Sequence, residues 1–291
     1  MSLIGTMIKL LKVFSVYMIY NFNNNIKEKL QLLNRKIVNH IKEKEQCIYY
    51  EGNLYAHLKS FKNLKKVVFS VLLGEYDSIS TFNVQKGFDY YLFTDNLNGK
   101  FNHTNWTIVP IPEEVQKLNV SRFKKQRFIK LHPHLYFKDY DISIYFDSNF
   151  KIIEDLNIFL IRILSPKYNI YCLEHPERNS VFNETYAVVQ HIKEKESIAS
   201  IVREKYKKEK YPDENGLIEG CLIIRKHNEN DSIYLMNKWY EEINNYSHRD
   251  QLSFNYVLWK TRLKIKYIAK NYALQYFFQN TTHLKLLQFK D

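Results

Sequence analysis

Apolar residues recur at Ile26, Leu30, Leu33, Ile37 and Ile41, in steps of four, three, four and four with Lys and Glu between them. That spacing predicts an amphipathic helix with one packing face. After about residue 64 the texture changes. Residues 66–73 form a nearly continuous β-branched run stopped by Gly74, the pattern of a strand covered on both faces in a parallel sheet. Similar runs follow at 89–93, ending in Thr94-Asp95-Asn96, and at 106–109, stopped by Pro110 and Pro112. Ser121 opens a helix that Pro133 ends near Leu131. Residues 142–146 make a fourth strand, which delivers Asp147-Ser148-Asn149 at its carboxyl end. Further strands are predicted at 170–173 and 221–224, and helices over 183–208, 232–244 and 250–259. Strands alternating with helices predict an α/β fold around an open, mostly parallel sheet. The change of texture places a boundary near residue 60, with 1–60 a helical extension and 61–291 the main domain.

A second apolar stretch, 7–20, is interrupted by Lys9 and Lys12. Its unbroken part falls far short of the ~20 residues of a spanning helix, and no small-residue cleavage site follows. Two readings stay open: a helix packed on the main domain or on a second subunit, or an interfacial anchor on an anionic membrane. The expectation is a cytoplasmic protein, peripheral to the inner face of the cell membrane if the anchor reading holds, with its oligomeric state left open. The composition, 45% apolar and 15% aromatic, excludes a disordered chain. Cys47, Cys172 and Cys221 are scattered, which argues against a disulfide framework or structural zinc. The net charge of +12 favours anionic partners, or else reflects a solubilising Lys-rich surface.

In open α/β sheets, ligands bind beyond the carboxyl ends of the strands. That rule selects Gly74-Glu75-Tyr76-Asp77, Thr94-Asp95-Asn96 and Asp147-Ser148-Asn149. Gly74 permits a tight turn and close approach of a ligand to backbone. Asp95 suits a base or a ribose hydroxyl. Each cluster taken singly also fits ordinary strand-end turn chemistry. Asp147-x-Asn149 is a degenerate form of the Asp-x-Asp that places a cation on a diphosphate in nucleotide-sugar transferases. Mg²⁺ and Mn²⁺ want oxygen ligands, and an amide carbonyl supplies one without charge. Residues 122–130 hold five basic side chains and no acidic one, with Phe123, Arg127 and Lys130 on one helical face. Arg127 and Lys130 suit phosphate, or a solvated helix surface. No helix-turn-helix, zinc-finger or RNP-like signature accompanies them, so nucleic acid is not an expected partner. His-x-x-x-His, Gly-x-Ser-x-Gly and Gly-x-x-x-x-Gly-Lys are absent, which removes support for zincin, α/β-hydrolase and P-loop chemistry.

In this order, Gly74-Glu75-Tyr76-Asp77, Phe93-Thr94-Asp95, Arg127-x-x-Lys130-x-x-Pro133-His134 and Tyr145-Phe146-Asp147-Ser148-Asn149 resemble a glycosyltransferase-like domain family of formerly unknown function. That family occurs in bacterial polysaccharide loci and in plant Golgi proteins of mucilage and pollen. His175-Pro176-x-Arg178, Glu184, residues 216–219 and residues 249–254 agree with it, so the resemblance runs from about residue 65 to 267. It implies a GT-A-like, Rossmann-related sheet that binds a nucleotide-sugar through Mn²⁺ or Mg²⁺ and passes the sugar to a glycan or lipid-linked acceptor. By the same resemblance, Asp147 and Asn149 stand at the metal or diphosphate motif, with His283 a further candidate ligand. Arg127 and Lys130 would hold phosphate, and Asp250 and Glu219 would face the sugar or acceptor. Gly74, Tyr76, Asp77, Asp95, Arg249 and Gln251 complete the expected binding set. His175-x-x-Arg178 suits an acceptor hydroxyl or phosphate, or a structured loop. Asp250, at a predicted helix N-terminus, suits a general base or an ordinary N-cap. The alternatives are a metal-assisted hydrolase on the same sheet, since one plant relative has been described as a ceramidase, and an inactive glycan- or nucleotide-binding module.

Overall fold

The computed structural model describes residues 61, 63–74, 79, 81–97 and 104–279. The predicted helix at 26–41, the apolar stretch 7–20, Tyr76, Asp77 and His283 lie outside the described residues. The unit that carries the described strands begins at Leu64. Its strands are β1 (Lys66–Leu72), β2 (Phe88–Thr94), β3 (Thr107–Pro110), β4 (Ile142–Phe146), β5 (Phe150–Ile152), β6 (Ile170–Glu174), β7 (Ile218–Arg225), β8 (Lys266–Ile268) and β9 (Phe277–Gln279). Helices of more than one turn are α1 (Arg122–Leu131), α2 (Leu156–Ile163), α3 (Val181–Gln190), α4 (Glu196–Lys208), α5 (Asn230–Asn245) and α6 (Phe254–Thr261).

Seven strands form one sheet in the order β3-β2-β1-β4-β7-β6-β8, while β5 pairs with β9. Every neighbour in the large sheet is parallel except on the two sides of β7, which runs against both β4 and β6. The fold is therefore the expected α/β architecture, a mostly parallel open sheet flanked by helices. All seven residues of β1 and all five of β4 are buried, as their apolar runs require of central strands covered on both faces. Phe69 of β1 packs 5.3 Å from both Phe137 and Tyr145, ring centroid to ring centroid. α1 starts where Ser121 accepts the Lys124 N–H, and it ends ahead of Pro133, which begins a separate single turn.

Three expectations need correction. The helix predicted over 183–208 is two helices, because the chain turns at Ile192 with φ of 55° and the N–H groups of Lys193 and Glu194 both return to the Val188 carbonyl. No Gly or Pro marks this break; the buried Glu194 stabilises it by accepting the Ser247 hydroxyl. Asp250 does not begin a helix. It opens a 3₁₀ turn, Asp250–Leu252, and α6 follows with Ser253 at its N-cap position. Glu219 lies inside strand β7, which begins three residues before the predicted 221–224, since the antiparallel pairing with β6 extends to Ile218.

Candidate active site

The directions of the strands decide where the chemistry gathers. β1, β4 and β6 point the same way and β7 the other, so three carboxyl ends meet the amino end of β7 at one sheet edge. There the Asp147 N–H donates to the Cys221 carbonyl at 2.9 Å. A cleft of about 410 Å³ opens at this edge, lined by Arg122, Arg127, Asp147, Asn149, Glu219 and Asp250 among others. A second cleft of about 440 Å³ lies beyond the ends of β1, β2 and β3, where Thr94, Asp95 and Pro110 line it. The two share Leu73 and Arg122.

The floor of the first cleft is a buried ion-pair network. Lys130, at 1% exposure, donates from Nζ to Asp250 Oδ2 at 2.5 Å, and Arg127 Nε lies 3.2 Å from the same oxygen. Burial alone would push the Asp250 carboxyl up, but Arg127 and Lys130 outweigh it and hold the group well below the usual carboxylate range. Trp239 fixes the turn by donating its indole N–H to the Asp250 carbonyl at 3.1 Å. Gly220 makes room: a Cβ there would stand 2.9 Å from Asp250 Oδ2. The helical face read from the sequence is thus real, yet it splits by depth. Arg127 lines the cleft, whereas Lys130 is spent on Asp250 beneath it.

Asp147 is half-buried, with Oδ1 accepting the Tyr145 hydroxyl at 2.5 Å and lying 3.9 Å from Lys130 Nζ. Gln126 donates to Tyr145 at 2.8 Å, completing a chain from α1 to the end of β4. Asp147 and Asn149 both line the cleft, two residues apart. One carboxylate and one amide carbonyl fit Mg²⁺ or Mn²⁺, which draw their remaining ligands from phosphate and water. Among the described residues no group of three or more His, Cys, Asp or Glu is gathered as a metal cluster.

At the far wall, Glu219 Oε1 accepts Lys270 Nζ at 2.8 Å, while its Oε2 is buried without a hydrogen-bond partner among the described residues. His175 serves its loop, because Nδ1 accepts the N–H groups of Glu177 and Arg178 at 3.2 and 3.1 Å. Arg178 donates from Nε to the buried Glu184 at 2.6 Å. His248 stacks on Phe123 and is lowered to about 3 by burial and by the neighbouring Arg249 and Arg127, so it is neutral beside Glu194. Arg249 reaches Gln251 Oε1 at 3.3 Å, and both line the cleft.

Gly74 has a φ of 74°, and its N–H donates to Asp95 Oδ1 at 2.8 Å. Asp95 therefore closes the β1 turn with one oxygen and faces the second cleft, not the first. The Arg122 guanidinium lies over Gly74 where any Cβ would collide with it. Arg122, Gly220, Lys193, Lys270 and His248 are cleft residues that the sequence did not single out. For Arg122 a signal was available, since it begins the basic run; Lys193 reaches the cleft only through the unannounced break between α3 and α4.

No curated protein sequence matches this chain. Among solved structures it is similar to the apo form of WbbM, a bifunctional glycosyltransferase, at 10% identity and a TM-score of 0.43, covering 71% of this chain and 39% of that one. The chain thus spans well under half the length of WbbM. It is also similar to apo mouse xyloside xylosyltransferase 1, at 8% identity and a TM-score of 0.39, covering 70% of this chain and 84% of that one. The TOD1/MUCI70 glycosyltransferase-like domain matches residues 56–288, a span that contains both clefts and every described site residue. The chain belongs to the TOD1/MUCI70 glycosyltransferase-like family.

Proposed function

We propose that the chain moves a sugar from a nucleotide-sugar donor to a glycan or lipid-linked acceptor. The observation that carries this reading is the pair of joined clefts, with Arg122 at the junction and Asp147-x-Asn149 on the wall of the first one. In this reading the nucleoside occupies the cleft beyond β1–β3 and the diphosphate crosses Arg122 toward Arg127. Asp147 and Asn149 would hold Mn²⁺ or Mg²⁺, which supplies neutralising charge to the leaving diphosphate. The donor sugar then rests above Asp250. Because Lys130 and Arg127 already claim its carboxylate and depress its proton affinity, Asp250 is suited to orienting sugar hydroxyls and poorly suited to taking a proton. Glu219 is the better acceptor of the nucleophile's proton. Its Oε2 is a buried oxygen with no hydrogen-bond partner among the described residues, the kind of atom that marks a functional group or a missing ligand.

The test is a thermal-shift panel of nucleotide-sugars with and without Mn²⁺, followed by a transfer assay on the stabilising donor. Binding at a hundredfold excess over Kd stabilises by about 2.7 kcal/mol, which is readily measured. Stabilisation followed by transfer to an added glycan is the expected result. Release of free sugar as the main product would favour the hydrolase instead, and stabilisation without turnover would favour a binding module.

A further inference from the structure

We propose that the end of the cleft nearest β6 is a second anion site, formed by Arg178, Lys193 and Arg249, which receives an acceptor bearing a carboxylate or phosphate. The proposal rests on the transferase reading of the cleft and adds the chemical class of the acceptor. Three separate segments supply these cations: the loop after β6, the break between α3 and α4, and the residue preceding the 3₁₀ turn. Several charges of the cleft and its floor are compensated. Lys130 and Arg127 pair with Asp250, and Lys270 with Glu219; within the proposed cluster, Arg178 pairs with Glu184 and Glu177. Lys193 and Arg249 are different. Among the described residues neither forms an ion pair with a carboxylate; Lys193 is exposed, and Arg249, which reaches Gln251 through its guanidinium, keeps a buried Nε with no hydrogen-bond acceptor there.

Bringing such groups together costs energy that a bound anion would offset. The chain nonetheless adopts a strained local shape to do it. Ile192 takes a left-handed conformation that a β-branched residue disfavours. Glu194 then locks the turn by accepting the Ser247 hydroxyl, two residues before Arg249, so one buried contact ties the Lys193 segment to the Arg249 segment. Burial and the like charges of Arg249 and Arg178 lower the Lys193 pKa against the opposing pull of Glu184 and Glu219, consistent with the three cations lining one end of the cleft.

The donor diphosphate does not account for this cluster. Arg122 and Gly74 lie at the end of β1, and Arg178 follows β6, three strands away in the order β1-β4-β7-β6. Strands are spaced at ~4.8 Å, so the ends of β1 and β6 are roughly 14 Å apart, with Arg249 between them beside Asp250. An anion at Arg178, Lys193 and Arg249 is therefore carried by the acceptor.

The experiment uses the full chain in two titrations. First, UDP, GDP, ADP and CDP are each titrated to find the nucleoside diphosphate that binds. Second, with that nucleotide saturating, inorganic phosphate, methyl glucuronide and the neutral methyl glucoside are titrated separately by calorimetry. Phosphate and methyl glucuronide distinguish the two anion types. At least one of them is expected to bind the loaded chain while methyl glucoside does not, with affinity falling as salt rises. Lys193→Gln, at an exposed position, should weaken that binding roughly tenfold, the scale of one charge-assisted contact. Equal binding of the neutral glycoside, displacement of the anions by nucleotide, or an unchanged affinity in Lys193→Gln would each overturn the proposal. Should no nucleotide bind, the donor reading fails, and the wild-type and Lys193→Gln comparison on the unloaded chain still decides the anion site.

Discussion

Replacing Gly220 by Ala tests the cleft floor with a single methyl group. Gly220 sits within β7 and its φ is not in the left-handed region, so alanine fits the backbone. The added Cβ would lie 2.9, 3.2 and 3.4 Å from Oδ2, Cγ and Oδ1 of Asp250. Restoring ordinary contact requires the carboxylate to retreat by about half an ångström, and Lys130 and Arg127 hold it by the very oxygen that is closest. Overpacking of this kind costs about 1–3 kcal/mol. Exchanging Gly for Ala inside a regular element returns roughly 0.5–1 kcal/mol. The net expectation is a loss of about 1–2 kcal/mol, which for a domain of this size lowers Tm by roughly 2–8 °C. Calorimetric melting measures it, and a double-mutant cycle assigns it. On an Asp250→Ala background the methyl group has no carboxylate to meet, so Gly220→Ala should be neutral or slightly stabilising there. The same penalty in both backgrounds would falsify the account, because the clash would then lie elsewhere.

Other outcomes follow from the same geometry. Asp250→Asn, a near-isosteric change, leaves Lys130 and Arg127 buried without their counter-charge, so it should destabilise by about 3–5 kcal/mol in denaturant titrations as well as reduce transfer; unchanged stability would mean the pair is not formed. Asp147→Ala should abolish the Mn²⁺ dependence of nucleotide binding, whereas Arg127→Ala should weaken binding with or without Mn²⁺; identical behaviour of the two variants would remove the metal role. His132 and His227, each lowered to about 4 by burial, are neutral in the folded chain but take up protons on unfolding below about 6.5. Stability should therefore be complete above that pH and decline toward pH 4, and a Tm that is flat from pH 7 to pH 4.5 would contradict their burial. Below about pH 4 the depressed Asp250 carboxyl adds a further loss, because the unfolded chain then binds a proton that the folded chain refuses.

The central strands were legible because burial on both faces leaves an uninterrupted apolar run, as in β1 and β4. Ser121 and Pro133 marked the ends of α1 through local chemistry, a hydroxyl that caps and a ring that cannot continue the helix. Orientation is not local, and nothing in residues 218–225 announces that β7 runs against its neighbours. That reversal brings the amino end of β7, with Glu219, to the cleft where the carboxyl ends of its neighbours lie. β5, β8 and β9 have three residues each, too few for a periodicity to register. Asp147, Asn149, Arg127 and Asp250 do converge on one cleft, but the division of labour among them depends on depth. Lys130 and Arg127 look equivalent in the basic run, and only packing makes one a buried counter-ion and the other a cleft residue.

The contact between Lys130 and Asp250 joins positions 120 residues apart. Contacts of that sequence separation form late, since the entropy of closing so long a loop is lost before the contact returns anything, and folding slows accordingly. The charged floor of the cleft is thus a product of completed folding and not of any early hairpin or helix. During synthesis the basic run of α1 emerges well before its buried counter-charge. Until the later segment is in place Lys130 lacks the Asp250 carboxylate, and the cleft floor is complete only with the 3₁₀ turn.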